Sequence, residues 1–217
     1  GPAREGILAA DEMERARRLR SEADRRRFVA GRTALRELIG AYTSTDPAEV
    51  RFTYGERGKP ALDFPAGVFA GDASSLRFNF SHSAGLAVCA LVRDVEIGID
   101  IEQVREIPAA LRLARRFFAP AEYAHLSSLP PAERAVAFLH YWTCKEAILK
   151  ATGKGLNRPL SSFSIRLGGS GPVLDGLVDG GGDKEWSLHR LSLPDGYIGA
   201  IALQGPPRRL RIWAFMR

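Results

Sequence analysis

Cysteine is nearly absent from this chain, with two in 217 residues, Cys89 and Cys144. A disulfide framework is excluded, and both are expected to be packing residues in a reducing, cytoplasmic protein. Histidine is also scarce, at four, and together these shortages argue against a zinc site. No apolar run approaches membrane-spanning length, and no secretory signal is recognisable. The reading is therefore of a cytoplasmic protein with no membrane partner. An interleaved aromatic platform and any nucleic-acid-binding motif are missing too, so a net charge of +6 does not point to nucleic acid. Much of that charge comes from arginines between Arg15 and Arg36, set among Asp11, Glu12, Glu14, Glu22, Asp24 and Glu37. Such mixed charge reads mostly as a solvated helix face. A minority of the guanidinium groups suits a phosphorylated ligand, and a basic surface draws acidic partners.

Two short stretches carry the chemistry. In IGIDIE, Ile97 to Glu102, isoleucine alternates with other residues as in a half-buried strand. Asp100 and Glu102 then share one face, roughly 7 Å apart. In FLHYWTCKEAILK, Phe138 to Lys150, helical spacing puts Glu146 on the stripe of Leu139, Trp142 and Leu149. A carboxylate on a core-facing stripe is costly unless paired. Lys150 lies one turn on and Lys145 at the stripe's edge. An ordinary Glu–Lys helix pair on a solvated face is the competing reading. Set beside two carboxylates on one strand, Glu146 favours a site for a hard divalent cation.

Periodicity outlines an α+β chain, long enough for one large domain or two small ones. One or two helices are expected over Asp11 to Gly40. Strands follow near Val50–Tyr54, Phe78–Ser81 and Leu86–Val92, the last pairing antiparallel with IGIDIE across an Arg93-Asp94 turn. Helices return at Leu111–Phe118, Pro120–Leu126 and Ala132–Thr152. Further strands fall at Phe163–Leu167, Trp186–Ser192, Ile198–Leu203 and Leu210–Phe215. Helices followed by strands occur twice, suggesting two similar α+β halves, 1–104 and 105–217.

IGIDIE followed by WTCKEAILK resembles the paired signature of the 4′-phosphopantetheinyl transferases, of the surfactin-synthetase-activating type. RGKPAL, FNFSHSAG, RRFFAPAEY and GKGLNRPLSSFSIRL fall in that family's order and spacing. The resemblance implies a pseudo-twofold pair of subdomains, the monomeric two-half form rather than the short trimeric form, and transfer of the phosphopantetheine arm of coenzyme A to a carrier-protein serine. It implies Mg2+ held by Asp100, Glu102 and Glu146, Glu102 acting directly or through water. Glu146 would double as base, with His82 as its rival, and Lys150 would steady the pyrophosphate. Coenzyme A contacts carry over to Arg15, Arg57, Gly58, Lys59, Asn79, Ser81 and His82, and more loosely to Arg27. Phe117, Phe118 and Tyr123, near the family's carrier-docking region, read as core, with Leu111 or Leu113 exposed. Trp186 and Trp213 read as structural strand residues. The expected partners are coenzyme A and acidic apo acyl or peptidyl carrier proteins. Two other classes stay open: a magnesium-dependent coenzyme A pyrophosphohydrolase and a non-catalytic basic binding module.

Overall fold

The computed structural model describes residues 6–55, 58–63, 75–153, 158–169, 171–176 and 185–214. The chain condenses into two units, Gly1–Leu76 and Arg77–Arg217.

In the first unit the expected helical stretch is two helices, α1 (Ala10–Arg18) and α2 (Glu22–Thr43). The break falls at Ser21, whose hydroxyl accepts the Asp24 N–H and so caps α2. Helix α2 stops at Ser44, which adopts the left-handed conformation. Strands β1 (Arg51–Tyr54) and β2 (Pro60–Asp63) then pair antiparallel. Not all the charges of this region are solvated. Glu12 and Arg36 are buried, 2.7 Å apart. Arg36 also donates to the carbonyls of Pro47 and Val50 at 2.9 and 2.8 Å, and its guanidinium lies over the Phe52 ring. Such saturation is what permits a buried ion pair.

In the second unit β3 (Leu76–Ser83) hydrogen-bonds with β4 (Leu86–Arg93). Strand β5 (Ile97–Gln103) belongs to a different sheet, ordered β5-β9-β8. Strands β8 (Trp186–Arg190) and β9 (Tyr197–Gln204) both run antiparallel to their neighbours. The expected β4–β5 ladder is thus not formed; β5 pairs instead with β9, Asp100 opposite Ala200. Helices α3 (Ala110–Phe117), α4 (Pro120–Ser128) and α5 (Pro131–Thr152) follow β5. Strands β6 (Ser164–Gly168) and β7 (Gly171–Asp175) form an antiparallel pair.

Helix α5 lies across β5 and β9, and small residues make the approach possible. A Cβ on Gly98 would collide with the Ala147 carbonyl and the Ala151 N–H, so only glycine fits. Ala200 and Ala202 of β9 are buried in the same core as Ala147 and Ala151. On the other face Ile97 and Ile99 pack with Ala90, Ile201 and Leu203. Strand alternation therefore sends Gly98, Asp100 and Glu102 toward α5, as their spacing predicts. Both the carboxylate strand and the Glu146 helix lie within Arg77–Arg217, and residue 104 falls inside that unit.

Other expectations are revised, and that of the cysteines as packing residues is not. Among the described residues, 207–214 form no strand, and Trp213 is 75% exposed rather than structural. Alternation of apolar residues with arginine found no partner strand there. Phe117 is exposed while Phe118 is buried, and Leu111 and Leu113 pack against the core. Lys145, at the stripe's edge, is fully buried. Cys144 is buried and Cys89 partly so, and burial pushes both thiols up to about 12. No described helix is long and apolar enough to cross a membrane.

Candidate active site

The close packing of α5 on β5 brings Lys150 to Asp100, Nζ to Oδ1, at 2.7 Å. Ser81 of β3 completes the group: Lys150 donates to its Oγ at 3.1 Å, and that Oγ donates to Asp100 Oδ1 at 3.1 Å. The second Asp100 oxygen, Oδ2, is buried with no hydrogen-bond partner among the described residues. Burial pushes the Asp100 carboxyl above the ordinary carboxylate range, and Lys150 pulls it part of the way back. Glu146 is half-buried; its carboxyl is raised first by burial and then by the negative charge of Asp100. Glu146 and Lys150 lie one turn apart on α5: Lys150 acts on Asp100, and Asp100 acts on Glu146.

Glu102 is engaged elsewhere. Its Oε2 accepts from Ser83 Oγ at 2.9 Å and from Arg105 at 3.2 Å. Among the described residues no three acidic, histidine or cysteine side chains converge as a ready-made metal cluster. A divalent cation nevertheless suits the pair Asp100 and Glu146. A buried carboxylate oxygen without a partner, beside a second carboxylate that it disfavours, is relieved by a cation between them.

Strand β3 supports this arrangement through side chains that sequence spacing alone did not disclose. Asn79 Oδ1 accepts the Ile99 N–H, Ser81 Oγ the Ile101 N–H, and Ser83 Oγ the Gln103 N–H. The other N–H groups of β5 alternate toward β9, so this edge is covered by side chains. Asn79 and Ser81 are buried, whereas His82, between the serines, is exposed and on the opposite side of the strand. The structure therefore brings Ser81, Asp100 and Lys150 together and leaves His82 apart from them.

The remaining candidates lie in the first unit. Arg15 is exposed on α1, its guanidinium 5.5 Å from the centre of the Phe28 ring. Gly58 has φ +74°, as a tight turn requires, and closes that turn through an N–H to the Gly55 carbonyl. Lys59 follows it, its carbonyl accepting the Gly55 N–H. Arg57 lies outside the described residues. Arg27 pairs with Asp24 on the exposed face of α2.

Lys145, beside Glu146 in sequence, has a different role. Its ammonium sits 2.9 Å from Glu122 Oε1 and donates to the carbonyls of Leu160 and Phe163. Glu122 in turn accepts from the N–H groups of Ala119 and Ile165. Nothing marked Glu122 beforehand except its place three residues after Ala119, the position from which a glutamate reaches back to cap its own helix.

Asp100 and Glu146 beside Lys150, in a partly buried setting, define a site that a divalent cation would complete for an anionic substrate. Comparison with known proteins narrows that class. Residues 96–202 match the 4′-phosphopantetheinyl transferase superfamily, and residues 5–93 match the N-terminal part of 4′-phosphopantetheinyl transferases. The 4′-phosphopantetheinyl transferase HetI of Nostoc sp. is 40% identical, over 96% of this chain and 83% of its own. The 4′-phosphopantetheinyl transferase Sfp of Bacillus subtilis is 35% identical, over 80% of this chain and 72% of its own. A solved holo-[acyl-carrier-protein] synthase of Thermotoga maritima is 25% identical and aligns with a TM-score of 0.41, over 51% of this chain and 62% of its own. This chain belongs to the 4′-phosphopantetheinyl transferase family, and its α+β fold and enzyme class follow from that membership.

Proposed function

We propose that the protein transfers the 4′-phosphopantetheine arm of coenzyme A to a serine of an apo acyl or peptidyl carrier protein, with Mg2+ bound by Asp100 and Glu146. Glu102 stands next to that pair, as a ligand directly or through water. The observation that carries the reading is the buried Asp100 carboxylate, one oxygen held by Lys150 and Ser81 and the other without a partner. The cation would neutralise pyrophosphate charge and polarise its phosphorus–oxygen bonds. Glu146 takes the proton from the carrier serine, whose oxygen forms the new bond to phosphorus. The bond from that phosphorus to the bridging oxygen breaks, and 3′,5′-ADP leaves with the electron pair. Lys150, half-buried at the same carboxylate, stabilises the negative charge gathering on the phosphates. Arg15, Arg57, Gly58, Lys59 and His82 are assigned to coenzyme A, an anionic ligand suited to cations and to a glycine turn.

We also read 1–104 and 105–217 as two similar α+β halves. Support comes from helix lengths: α1 and α4 each have 9 residues, α2 and α5 each 22. The protein is read as a monomer of the cytoplasm that meets acidic carriers through its basic surface.

The test incubates protein, Mg2+, coenzyme A and apo carrier, and weighs the carrier by mass spectrometry. A gain of one phosphopantetheinyl group is expected, at a rate lowered about 100–1,000-fold in Asp100→Ala, the usual cost of removing an electrostatic catalytic contact. Free phosphopantetheine with an unlabelled carrier would instead mark a hydrolase.

A further inference from the structure

We infer that Ser81 and Ser83 are positioning residues for the carboxylates of β5. The inference rests on the proposed reading of Asp100, Glu102 and Glu146 and says how two of them are aimed.

A serine hydroxyl has one proton to donate and two lone pairs to accept with. At Ser81 all three are committed. The proton goes to Asp100 Oδ1, and the lone pairs take the Ile101 N–H at 3.3 Å and the Lys150 ammonium at 3.1 Å. Ser83 repeats the pattern two residues on. Its proton goes to Glu102 Oε2 at 2.9 Å, and its oxygen takes the Gln103 N–H at 3.1 Å. Each serine therefore ties a carboxylate to the backbone amide that follows it, fixing both the register of β5 and the rotation of the acid. At Asp100 the result is one oxygen turned to Ser81 and Lys150 and the other left without a protein partner. Asn79 provides the internal comparison. It holds the Ile99 N–H in the same way, at 2.9 Å, but the residue after which it would need a carboxylate is Gly98.

Mn2+ titration of the protein alone, followed by electron paramagnetic resonance, reads the carboxylates without turnover. Ser81→Ala is expected to weaken Mn2+ binding by about 10–100-fold, the usual cost of removing a residue that orients a metal ligand. Ser83→Ala is expected to weaken it less, and Ser81→Thr, which keeps the hydroxyl, to restore it. Asn79→Ala removes an equivalent edge bond and is expected to leave the titration unchanged. In the carrier-labelling assay Ser81→Ala should lower kcat while the KM for coenzyme A stays near that of the parent. Three results would overturn the inference. One is a raised KM for coenzyme A with unchanged Mn2+ binding, which would make Ser81 a substrate contact. Another is equal weakening by Asn79→Ala and Ser81→Ala, which would reduce the serines to edge bonds. The third is failure of Ser81→Thr to restore binding. If the parent protein labels carrier, the transferase reading survives each of them; if it neither labels carrier nor binds Mn2+, both fall together.

Discussion

Two buried brackets, one in each unit, are built alike and carry different cargo. In the first unit Glu12 stands three residues after Ala9, accepts its N–H, and pairs with Arg36 of the following long helix. In the second, Glu122 stands three residues after Ala119, accepts its N–H, and pairs with Lys145. Arg36 and Lys145 each lie 14 residues after the first residue of a 22-residue helix (Glu22 to Arg36, Pro131 to Lys145). Each donates to carbonyls of the segment entering the next strands and lies near a phenylalanine ring, Phe52 or Phe163. The difference begins one residue later. Both helices continue with glutamate, Glu37 and Glu146, but four residues on α2 has Ala41 where α5 has Lys150. The bracket is therefore a folding device, independent of the chemistry that only one copy bears. A lysine inside the most recognisable motif of the chain belongs to the frame, and its neighbours Glu146 and Lys150 belong to the proposed site.

The largest way to break that comparison is to remove one cation. Lys145→Met should cost about 3–5 kcal/mol, since it strands the buried Glu122 carboxylate, and Arg36→Met should cost less, because Arg32 still lies 3.2 Å from Glu12. Urea unfolding measures the loss. The paired change Glu122→Leu with Lys145→Met should recover most of it, because a well-packed apolar pair replaces the ions. Recovery in neither arm would mean that the hydrogen bonds to Leu160 and Phe163 outweigh the ion pair.

Gly98→Ala tests the surface on which α5 rests. With the Ala147 carbonyl and the Ala151 N–H in the way, the added methyl should cost about 1–3 kcal/mol, as overpacking does. Carrier labelling should fall further than stability does, because Lys150 and Glu146 would be lifted from Asp100.

A smaller effect has the opposite sign. Burial and Asp100 raise the Glu146 carboxyl above its ordinary value. A group whose pKa is higher folded than unfolded contributes stability at low pH, lost as pH rises through the folded value. Above the ordinary carboxylate range the metal-free protein should therefore lose stability with rising pH. Glu146→Gln should lessen that slope, Asp100 keeping its own share, and melt a few degrees higher than the parent at neutral pH, by calorimetry in chelator, while losing transfer. A lower melting temperature would show that Glu146 has a stabilising partner after all.

The smallest effect is expected from Ala41→Lys, which gives α2 the residue that α5 has. Ala41 is exposed, so stability should change by less than about 0.5 kcal/mol. Labelling should not change either, which would sharpen the conclusion that a bracketed helix alone makes no site.

Local periodicity was enough to place Asp100 and Glu102 on one strand face and Glu146 with Lys150 on one helix, because each relation is set within a single element. It was also enough for most helices. What lay outside its reach depends on contacts between distant segments. The partner of β5 is β9, nearly a hundred residues away, and not the adjacent β4, to which a turn had pointed. The serines of β3 meet β5 at a separation of 20 residues, fixed by how the two strands lie and by nothing in either alone. Lys145 and Glu122 look like solvated helix charges until the helices pack. Residues 210–214 alternate like a strand, yet alternation describes a face and does not supply a neighbour.

The side-chain cover on β5 also bears on self-association. An uncovered strand edge offers a row of amides and carbonyls to any other chain, the usual starting point for edge-to-edge aggregation. Here Asn79, Ser81 and Ser83 occupy the outward N–H groups of Ile99, Ile101 and Gln103, so the strand that bears the acids offers those amides to no stranger. The cover is made of three small polar side chains and is therefore removable by mutation, one amide at a time. Changes in this block would be felt as solubility as well as turnover, and a protein lost to precipitation there would be mistaken for one that had simply lost its activity.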